Sequence, residues 1–269
     1  MQQWRVLFSG YQTGAMNMAV DEGIALAVAA GEAPPTVRFY GWKPACLSLG
    51  YAQRAEEVDW DECRARGIDV VRRPTGGRAI LHDREVTYSI IAREDDPLVS
   101  GTILESYLKI SRGLLLGLQK LGIPAEIVSH KDLDKLGTAA CFDSPSFYEM
   151  TVGGRKAVGS AQTRKNGIVL QHGSIIRDMD ADTLFAVLSF PSEEVRDRLK
   201  DGFRRKACSL EEAAGRGLSD AEVIEAVSAG FAAAFGVELA SGELSRRETA
   251  LARELAESKY GNEEFTRKR

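Results

Sequence analysis

Two short segments of the chain combine residue types that suit acyl transfer. The first, residues 72–83, reads RRPTGGRAILHD, with two arginines, a Gly-Gly turn and a His-Asp pair. Glycine lets the backbone adopt positive φ and approach a ligand closely, and a guanidinium offers a planar fork of donors to an anion or a carbonyl. The candidate substrate-binding residues here are Arg72, Arg73, Gly76, Gly77 and His82.

The second segment supplies a thiol and a cation. Cys141 lies in the polar, turn-forming stretch CFDSPS, which is typical of a loop, and Lys156 opens the apolar run KAVGSA after a Gly-Gly turn. A nearby cation favours the thiolate and lowers the pKa of a thiol from about 8.5, and it can bind a thioester carbonyl as negative charge develops. We predict Cys141 as the nucleophile and Lys156 as its activator. We also expect Gly159 and Ser160 to let the backbone approach the substrate closely.

Each of these residues also has a structural interpretation. A free cysteine is often a small buried hydrophobe, most lysines are solvated surface charges, and Arg72 and Arg73 could lie at a solvated strand end. His82 suits proton transfer because its pKa lies near neutrality, or it could be a strand-end histidine hydrogen-bonded to Asp83. The polar loop around Cys141 and the glycine turns favour the functional interpretation.

The elements that must position these residues alternate between strands and helices. Apolar periodicity and turn signals predict strands over residues 36–40, 46–50, 68–72, 79–82, 86–92, 125–128, 150–152, 155–162 and 168–176. They predict helices over residues 16–31, 56–66, 104–121, 181–188, 193–201, 220–235 and 243–259. Asn17 is a candidate cap of the first helix, and Asn166-Gly167 predicts a hairpin.

This pattern predicts an α/β (α+β) fold in which a mixed sheet is flanked by helices. We find no strong linker, so residues 1–269 are expected to form a single catalytic domain. Its C-terminal portion, from about residue 180 to residue 269, is expected to be helical.

Composition excludes several classes of function. The net charge of −4 disfavours non-specific binding to nucleic acid or an anionic membrane. No apolar run approaches 18 residues and the N-terminus does not resemble a signal peptide, so we expect a cytoplasmic protein. The four cysteines contain no CxxC and do not pair with histidines at zinc-ligand spacing, which argues against disulfides and a metal site.

The same motifs resemble the biotin/lipoate protein ligase superfamily, specifically the LipM-type octanoyltransferases of its lipoate branch. Residues 72–83 are similar to the signature loop of the family, and residues 156–162 are similar to its lysine strand. Shorter matches lie at residues 17–22, 38–42, 47–51 and 259–261. The similarity covers about residues 1–261 and implies the catalytic-domain fold of biotin and lipoyl protein ligases.

The resemblance implies an octanoyltransferase of lipoate biosynthesis. Octanoyl would move from octanoyl-acyl carrier protein to Cys141 as a thioester, and then to a lysine of a lipoyl domain, with the glycine-cleavage H protein as the expected acceptor. Cys141 precedes Lys156 by 15 residues, as in the LipM-type arrangement. The chain would need no metal, ATP or other cofactor, and its acyl group would lie in an apolar tunnel near the Gly-Gly loop.

Three other functions, two of them catalytic, are also compatible with the sequence. Lipoate–protein ligases share the loop and the lysine but use ATP; their loop commonly has a third glycine where this chain has Arg78. An octanoyl amidotransferase acting between lipoyl domains also uses a loop cysteine, but it typically lacks the His-Asp ending. A non-catalytic module that binds lipoyl domains would leave Cys141 without a chemical role.

Overall fold

The structure, a computed structural model, describes residues 2–129 and 148–268. The strands are β1 (Gln3–Gln12), β2 (Thr36–Trp42), β3 (Cys46–Leu49), β4 (Asp69–Arg72), β5 (Ile80–His82), β6 (Glu85–Arg93), β7 (Ala125–Ser129), β8 (Tyr148–Val152), β9 (Arg155–Lys165), β10 (Ile168–Ile176) and β11 (Glu238–Ser241). The helices are Gly14–Ala29, Trp60–Ala65, Ile103–Lys120, Ala181–Ala186, Glu193–Lys206, Leu210–Ala214, Asp220–Phe235, Arg246–Leu255 and Glu263–Arg267. A 3₁₀ turn spans Ala55–Glu57 and a π-helical turn spans Ala256–Tyr260. Within the described ranges, no helix has both the length and the apolar character needed to cross a membrane.

The strands form one large mixed sheet and one small sheet. The large sheet has the order β11-β1-β2-β6-β10-β9-β8-β7, and the small one has the order β4-β3-β5. In the large sheet β1 runs parallel to both β11 and β2, while the remaining neighbours are antiparallel. The predicted α/β class with a mixed sheet and flanking helices is therefore confirmed.

Helices cover both faces of the large sheet. Helices Ile103–Lys120 and Asp220–Phe235 pack on one face, where the largest apolar cluster includes Phe39 and Tyr88 of the sheet. Helix Gly14–Ala29 packs on the other face through a second cluster. Because alternate side chains of a strand point to opposite faces, Ile90 and Ile91 of β6 join different clusters. The central strands are thus buried on both sides, and this rigid frame holds the loops that follow them.

Two strands, two short helices (Leu210–Ala214 and Glu263–Arg267) and one helix cap depart from the prediction. The sequence pattern did not predict β1 or β11, and β11 adds a strand to the C-terminal portion expected to be helical. Thr13 caps the first helix by accepting a hydrogen bond from the Met16 backbone N–H, whereas Asn17 lies inside the helix, so its assignment as the cap was wrong. The predicted hairpin is confirmed, with Asn166 and Gly167 both at positive φ.

The two helices on the first face cross at glycines. A Cβ atom at Gly230 would collide with backbone atoms of Gly113 and Gly117, so the helices can approach this closely only without that side chain. We expect Gly230→Ala to lower the free energy of unfolding by about 1–3 kcal/mol through overpacking. Gly202→Ala is the matched control, because a Cβ atom there meets no other atom within 4 Å and alanine favours a helix interior over glycine by about 0.5–1 kcal/mol. Urea unfolding of both variants tests this, and equal midpoints would contradict the close crossing.

Candidate active site

A largely apolar cavity of about 720 Å³ lies between the Gly-Gly loop and strands β9 and β10. Seven of the predicted site residues line it: Arg73, Gly76, Gly77, His82, Lys156, Gly159 and Ser160. Arg72 is not among the lining residues. Cys141 lies outside the described residues. Strand pairing thus brings two segments about 80 residues apart in the chain to a single cavity.

The Gly-Gly loop is braced from within by Arg73. Its Nη2 donates to the carbonyls of Gly76 at 2.7 Å and Arg78 at 2.8 Å, and its Nη1 donates to the carbonyl of Ser48 at 2.9 Å. Burial lowers the pKa of Arg73 to about 10, so the side chain stays charged at neutral pH. Gly77 has a φ of 94°, which favours glycine. The loop therefore has a fixed shape, set by a buried cation that satisfies carbonyls which would otherwise lack partners.

Arg72, unlike Arg73, does not line the cavity and instead connects distant backbone segments. The side chain is fully buried and donates to the carbonyls of Thr266, Gly50 and Gln53 at distances of 2.7–3.0 Å. It thereby ties helix Glu263–Arg267 to the turn after β3. Direct contact of either arginine with substrate stays a prediction; what the contacts show is that both arginines hold backbone in place.

His82 is fixed on three sides. Its Nδ1 lies 2.8 Å from Oε1 of Glu85 and its Nε2 lies 2.8 Å from Oγ of Ser48, while its ring stacks on Trp42 with 4.0 Å between centroids. The alternative of a hydrogen bond to Asp83 was wrong. His82 ends β5 with a buried side chain, whereas the neighbouring side chain of Asp83 is exposed. Because successive side chains of a strand point to opposite sides, the buried partner of His82 is Glu85 and not the adjacent Asp83.

Lys156 enters the cavity at an irregular point of the sheet. Met150 pairs with Val158 and Thr151 pairs with Lys156, so β9 holds one extra residue, Ala157. Such a bulge redirects the side chains beside it. The ammonium of Lys156 lies 3.0 Å from Oε1 of Glu149. Glu149 was not among the predicted site residues, because a glutamate in a strand has no distinctive sequence pattern.

A buried polar network supports the loop from the far side. Oγ1 of Thr75 lies 2.6 Å from Nε2 of His172, and Nδ1 of His172 lies 3.5 Å from Oδ2 of Asp21. Asp21 in turn accepts a hydrogen bond of 2.7 Å from Arg38, and both side chains are fully buried. Burial alone would raise the pKa of Asp21, but Arg38 and His172 together lower it. The carboxylate therefore stays ionised and links helix Gly14–Ala29 to the loop.

His172 should make stability depend on pH. Burial lowers the pKa of His172 in the folded chain, although Asp21 opposes this, while an unfolded histidine has a pKa of about 6.5. The unfolded chain therefore binds the proton first on acidification, so stability is full above about pH 6.5 and falls as the pH drops below it, by at most about 1.4 kcal/mol per pH unit. Urea unfolding at about pH 7.5 and about pH 5.5 should show a smaller loss for His172→Gln than for the unaltered chain. Equal losses would show that another group carries the effect.

Known proteins are similar to this chain in both sequence and fold. A model of the lipoyl protein ligase A/B catalytic domain matches residues 13–232. The octanoyltransferase LipM of Brevibacillus brevis is 50% identical over the full length of both chains, and that of Kyrpidia tusciae is 51% identical over 98% of both. Among solved structures, the bipartite lipoate protein ligase of Thermoplasma acidophilum aligns with a TM-score of 0.84 at 26% identity, covering 99% of this chain and 97% of that one. Lipoate-protein ligase A bound with ATP aligns with a TM-score of 0.81 at 26% identity, covering 99% of each chain.

Proposed function

The chain belongs to the lipoyl protein ligase A/B catalytic domain family, and from that premise we propose that it moves octanoyl from octanoyl-acyl carrier protein, through a thioester on Cys141, to a lysine of a lipoyl-domain protein. It is an octanoyltransferase of lipoate biosynthesis, as its full-length relatives at about 50% identity are. The proposed donor is octanoyl-acyl carrier protein, and the proposed acceptor is the glycine-cleavage H protein.

One observation carries the mechanism: Lys156 lines the same largely apolar cavity as the braced Gly-Gly loop. A cation in such surroundings acts on a nearby thiol or carbonyl more strongly than it would in water. It can hold a thiolate in its reactive form and stabilise the oxyanion that forms when a thioester carbonyl is attacked.

The other cysteines support the choice of Cys141. Cys46, Cys63 and Cys208 are all buried, and burial raises the pKa of each of these thiols, that of Cys63 to about 11. At neutral pH they stay protonated, and the thiol is a much poorer nucleophile than the thiolate. Of the cysteines that the structure describes, none suits a covalent acyl intermediate.

The reaction then has two halves. In the first, the Cys141 thiolate attacks the carbonyl carbon of octanoyl-acyl carrier protein, the bond to the carrier sulfur breaks, and the carrier leaves as a thiolate that takes a proton from water. In the second, a lysine amine of the acceptor attacks the Cys141 thioester, forming an amide and returning the thiol. Lys156 stabilises the negative charge at sulfur or at oxygen in both halves.

The cavity also offers a site for the acyl chain. The start of helix Ile103–Lys120 lines it with Ile103, Leu104 and Tyr107. Each buried CH₂ group contributes about 0.8 kcal/mol to binding, and a closed end rejects a longer chain by overpacking. Binding of octanoyl here would let the protein select its substrate by length.

The pairing of the first strand with the last strand bears on the domain organisation of the chain. Strand β11 of the C-terminal portion pairs with β1 of the N-terminus, so the two ends of the chain share a sheet. This supports the proposal that residues 1–269 act as a single catalytic domain. The donor and acceptor proposed above make the cytoplasm the proposed site of action.

A comparison of acyl donors tests the function. Purified protein is incubated with glycine-cleavage H protein and either octanoyl-acyl carrier protein without ATP or free octanoate with ATP, and octanoyl-H protein is followed by mass spectrometry. We expect product from the carrier-bound octanoyl alone. Product only from octanoate with ATP would instead establish a ligase, the activity named for the structural relative that was solved with ATP. No product from either donor would favour a binding module.

A further inference from the structure

The second half of the proposed reaction needs a proton acceptor. A lysine amine has a pKa of about 10.4, so at neutral pH nearly all of it is protonated and cannot attack a thioester. A side chain in the cavity that takes a proton from the incoming ammonium would therefore speed the transfer. Lys156 cannot do so while it serves as the cation at the thiolate, so the acceptor has to be an anionic or neutral group beside it.

Most of the other titratable groups that line the cavity contact residues other than Lys156. Glu85 accepts hydrogen bonds from His82, Thr87 and Ser174. His82 is buried, with the Ser48 hydroxyl at Nε2 and the Glu85 carboxylate at Nδ1. His172 is also buried, with the Thr75 hydroxyl at Nε2, while its Nδ1 lies 3.5 Å from the Asp21 carboxylate without forming a hydrogen bond among the described residues. Asp180 caps helix Ala181–Ala186. Asp83 and Asp178 both lie against Arg84, on exposed side chains.

Glu149 is the cavity-lining carboxylate that directly contacts Lys156. Its Oε1 accepts a hydrogen bond of 3.0 Å from Nζ of Lys156. Thr151 pairs directly with Lys156, and Glu149 lies two residues away on the same face of β8, which places it at the diagonal position where cross-strand side chains meet. Its side chain is 19% exposed, so the carboxylate can be reached from the cavity.

A third element faces the same carboxylate. Tyr107, in the first turns of helix Ile103–Lys120, also lines the cavity, and its pKa is raised to about 12, mainly by burial and in smaller part by the charge of Glu149. The charge of Glu149 therefore acts on both the Lys156 ammonium and the Tyr107 phenol.

Building on the proposed function, we infer that Glu149 is the general base that deprotonates the acceptor lysine in the second half-reaction. The carboxylate takes one proton from the acceptor ammonium. The freed amine forms a bond to the thioester carbonyl carbon, the bond between that carbon and the Cys141 sulfur breaks, and the second proton of the amine passes to the leaving sulfur. The products are the amide, the Cys141 thiol and protonated Glu149, which then releases its proton to water.

Glu149→Gln tests this, because glutamine keeps the oxygen that accepts from Lys156 but does not take up a proton. The two half-reactions are measured separately, first loading from octanoyl-acyl carrier protein and then transfer from the isolated acyl-enzyme to glycine-cleavage H protein. We expect loading at close to the unaltered rate and transfer slowed about 100-fold or more. Glu126→Gln, at an exposed glutamate of the neighbouring strand β7, is the matched control and should leave both rates unchanged.

The pH dependence of transfer separates proton transfer from positioning. In Glu149→Gln the rate should rise about tenfold per pH unit below the pKa of the amine, because only the neutral amine reacts, whereas the unaltered protein should show a nearly flat profile. Hydroxylamine, an uncharged nucleophile at neutral pH, should cleave both acyl-enzymes at similar rates. Glu149→Asp, which retains a carboxylate, should restore part of the transfer rate, and it serves as the second variant if the glutamine variant folds poorly.

Three results would overturn the inference. Transfer by Glu149→Gln at the unaltered rate and pH profile would show that Glu149 takes no proton. Equal losses in both half-reactions with an unchanged profile would make it a positioning residue for Lys156. Failure of the unaltered protein to form any acyl-enzyme would overturn the proposed function itself, and this inference with it.

Discussion

Lys156→Met should slow formation of the acyl-enzyme about 100-fold or more, since losing one stabilising group at a developing oxyanion costs about 10²–10³ in rate. Methionine keeps most of the length and the apolar stem of the side chain but removes the charge. The thiolate would lose the cation that favours it, and the thioester oxygen would lose its donor. The rate of octanoyl loading, followed by rapid quenching and intact mass, measures the effect.

The control for this variant lies on the same strand. Lys165 ends β9 with an exposed side chain outside the cavity lining, so Lys165→Met should load octanoyl at the unaltered rate. Because removal of Lys156 leaves Glu149 without its ion-pair partner, urea unfolding should accompany the kinetics. A Lys156→Met protein that folds and loads octanoyl normally would remove the electrostatic basis of the mechanism.

Asp21→Ala should lower the free energy of unfolding by about 3–5 kcal/mol, because it leaves the buried charge of Arg38 without its carboxylate counter-charge. Arg38 donates to Asp21 at 2.7 Å, and Tyr40 and Ser89 donate to the same carboxylate at 2.9 Å. Removing the carboxylate thus leaves a cation and two hydroxyls short of an acceptor. Urea unfolding at neutral pH measures the loss.

An exposed ion pair provides the comparison. Glu32 lies 3.0 Å from Arg247, and the side chains are 48% and 65% exposed. Solvent-screened pairs of this kind contribute about 0–1 kcal/mol, so Glu32→Ala should have little effect. Similar losses for Asp21→Ala and Glu32→Ala would contradict the assignment of Asp21 and Arg38 to a buried network.

Most elements of the fold were predictable from local pattern. The periodic apolar residues of helix Ile103–Lys120 and the Asn166-Gly167 turn predict their structures from short-range sequence alone. Strand β11, only four residues long, carries little such signal. It exists because β1 offers a parallel partner more than 200 residues away in the chain, and a local window cannot detect that contact.

The residues of the site also fall into those that local sequence predicts and those that only the fold brings together. Residue type and spacing pointed to the loop residues and to Lys156, which the structure places around one cavity. The partners of those residues come from distant strands, as Ser48 does for His82 and as Thr75 does for His172. Glu149 was not predicted because a glutamate in a strand has no distinctive pattern. Its contact with Lys156 depends on the pairing of β8 with β9 around the bulge.

The proposed mechanism depends most on a covalent octanoyl group at the sulfur of Cys141. The direct measurement is the intact mass of the protein after brief exposure to octanoyl-acyl carrier protein, with and without hydroxylamine. We predict one octanoyl adduct that hydroxylamine removes, that is absent from Cys141→Ala, and that persists in Cys63→Ala, where the altered cysteine is buried. An adduct retained by Cys141→Ala, or octanoylated acceptor formed at the full rate by that variant, would contradict the mechanism.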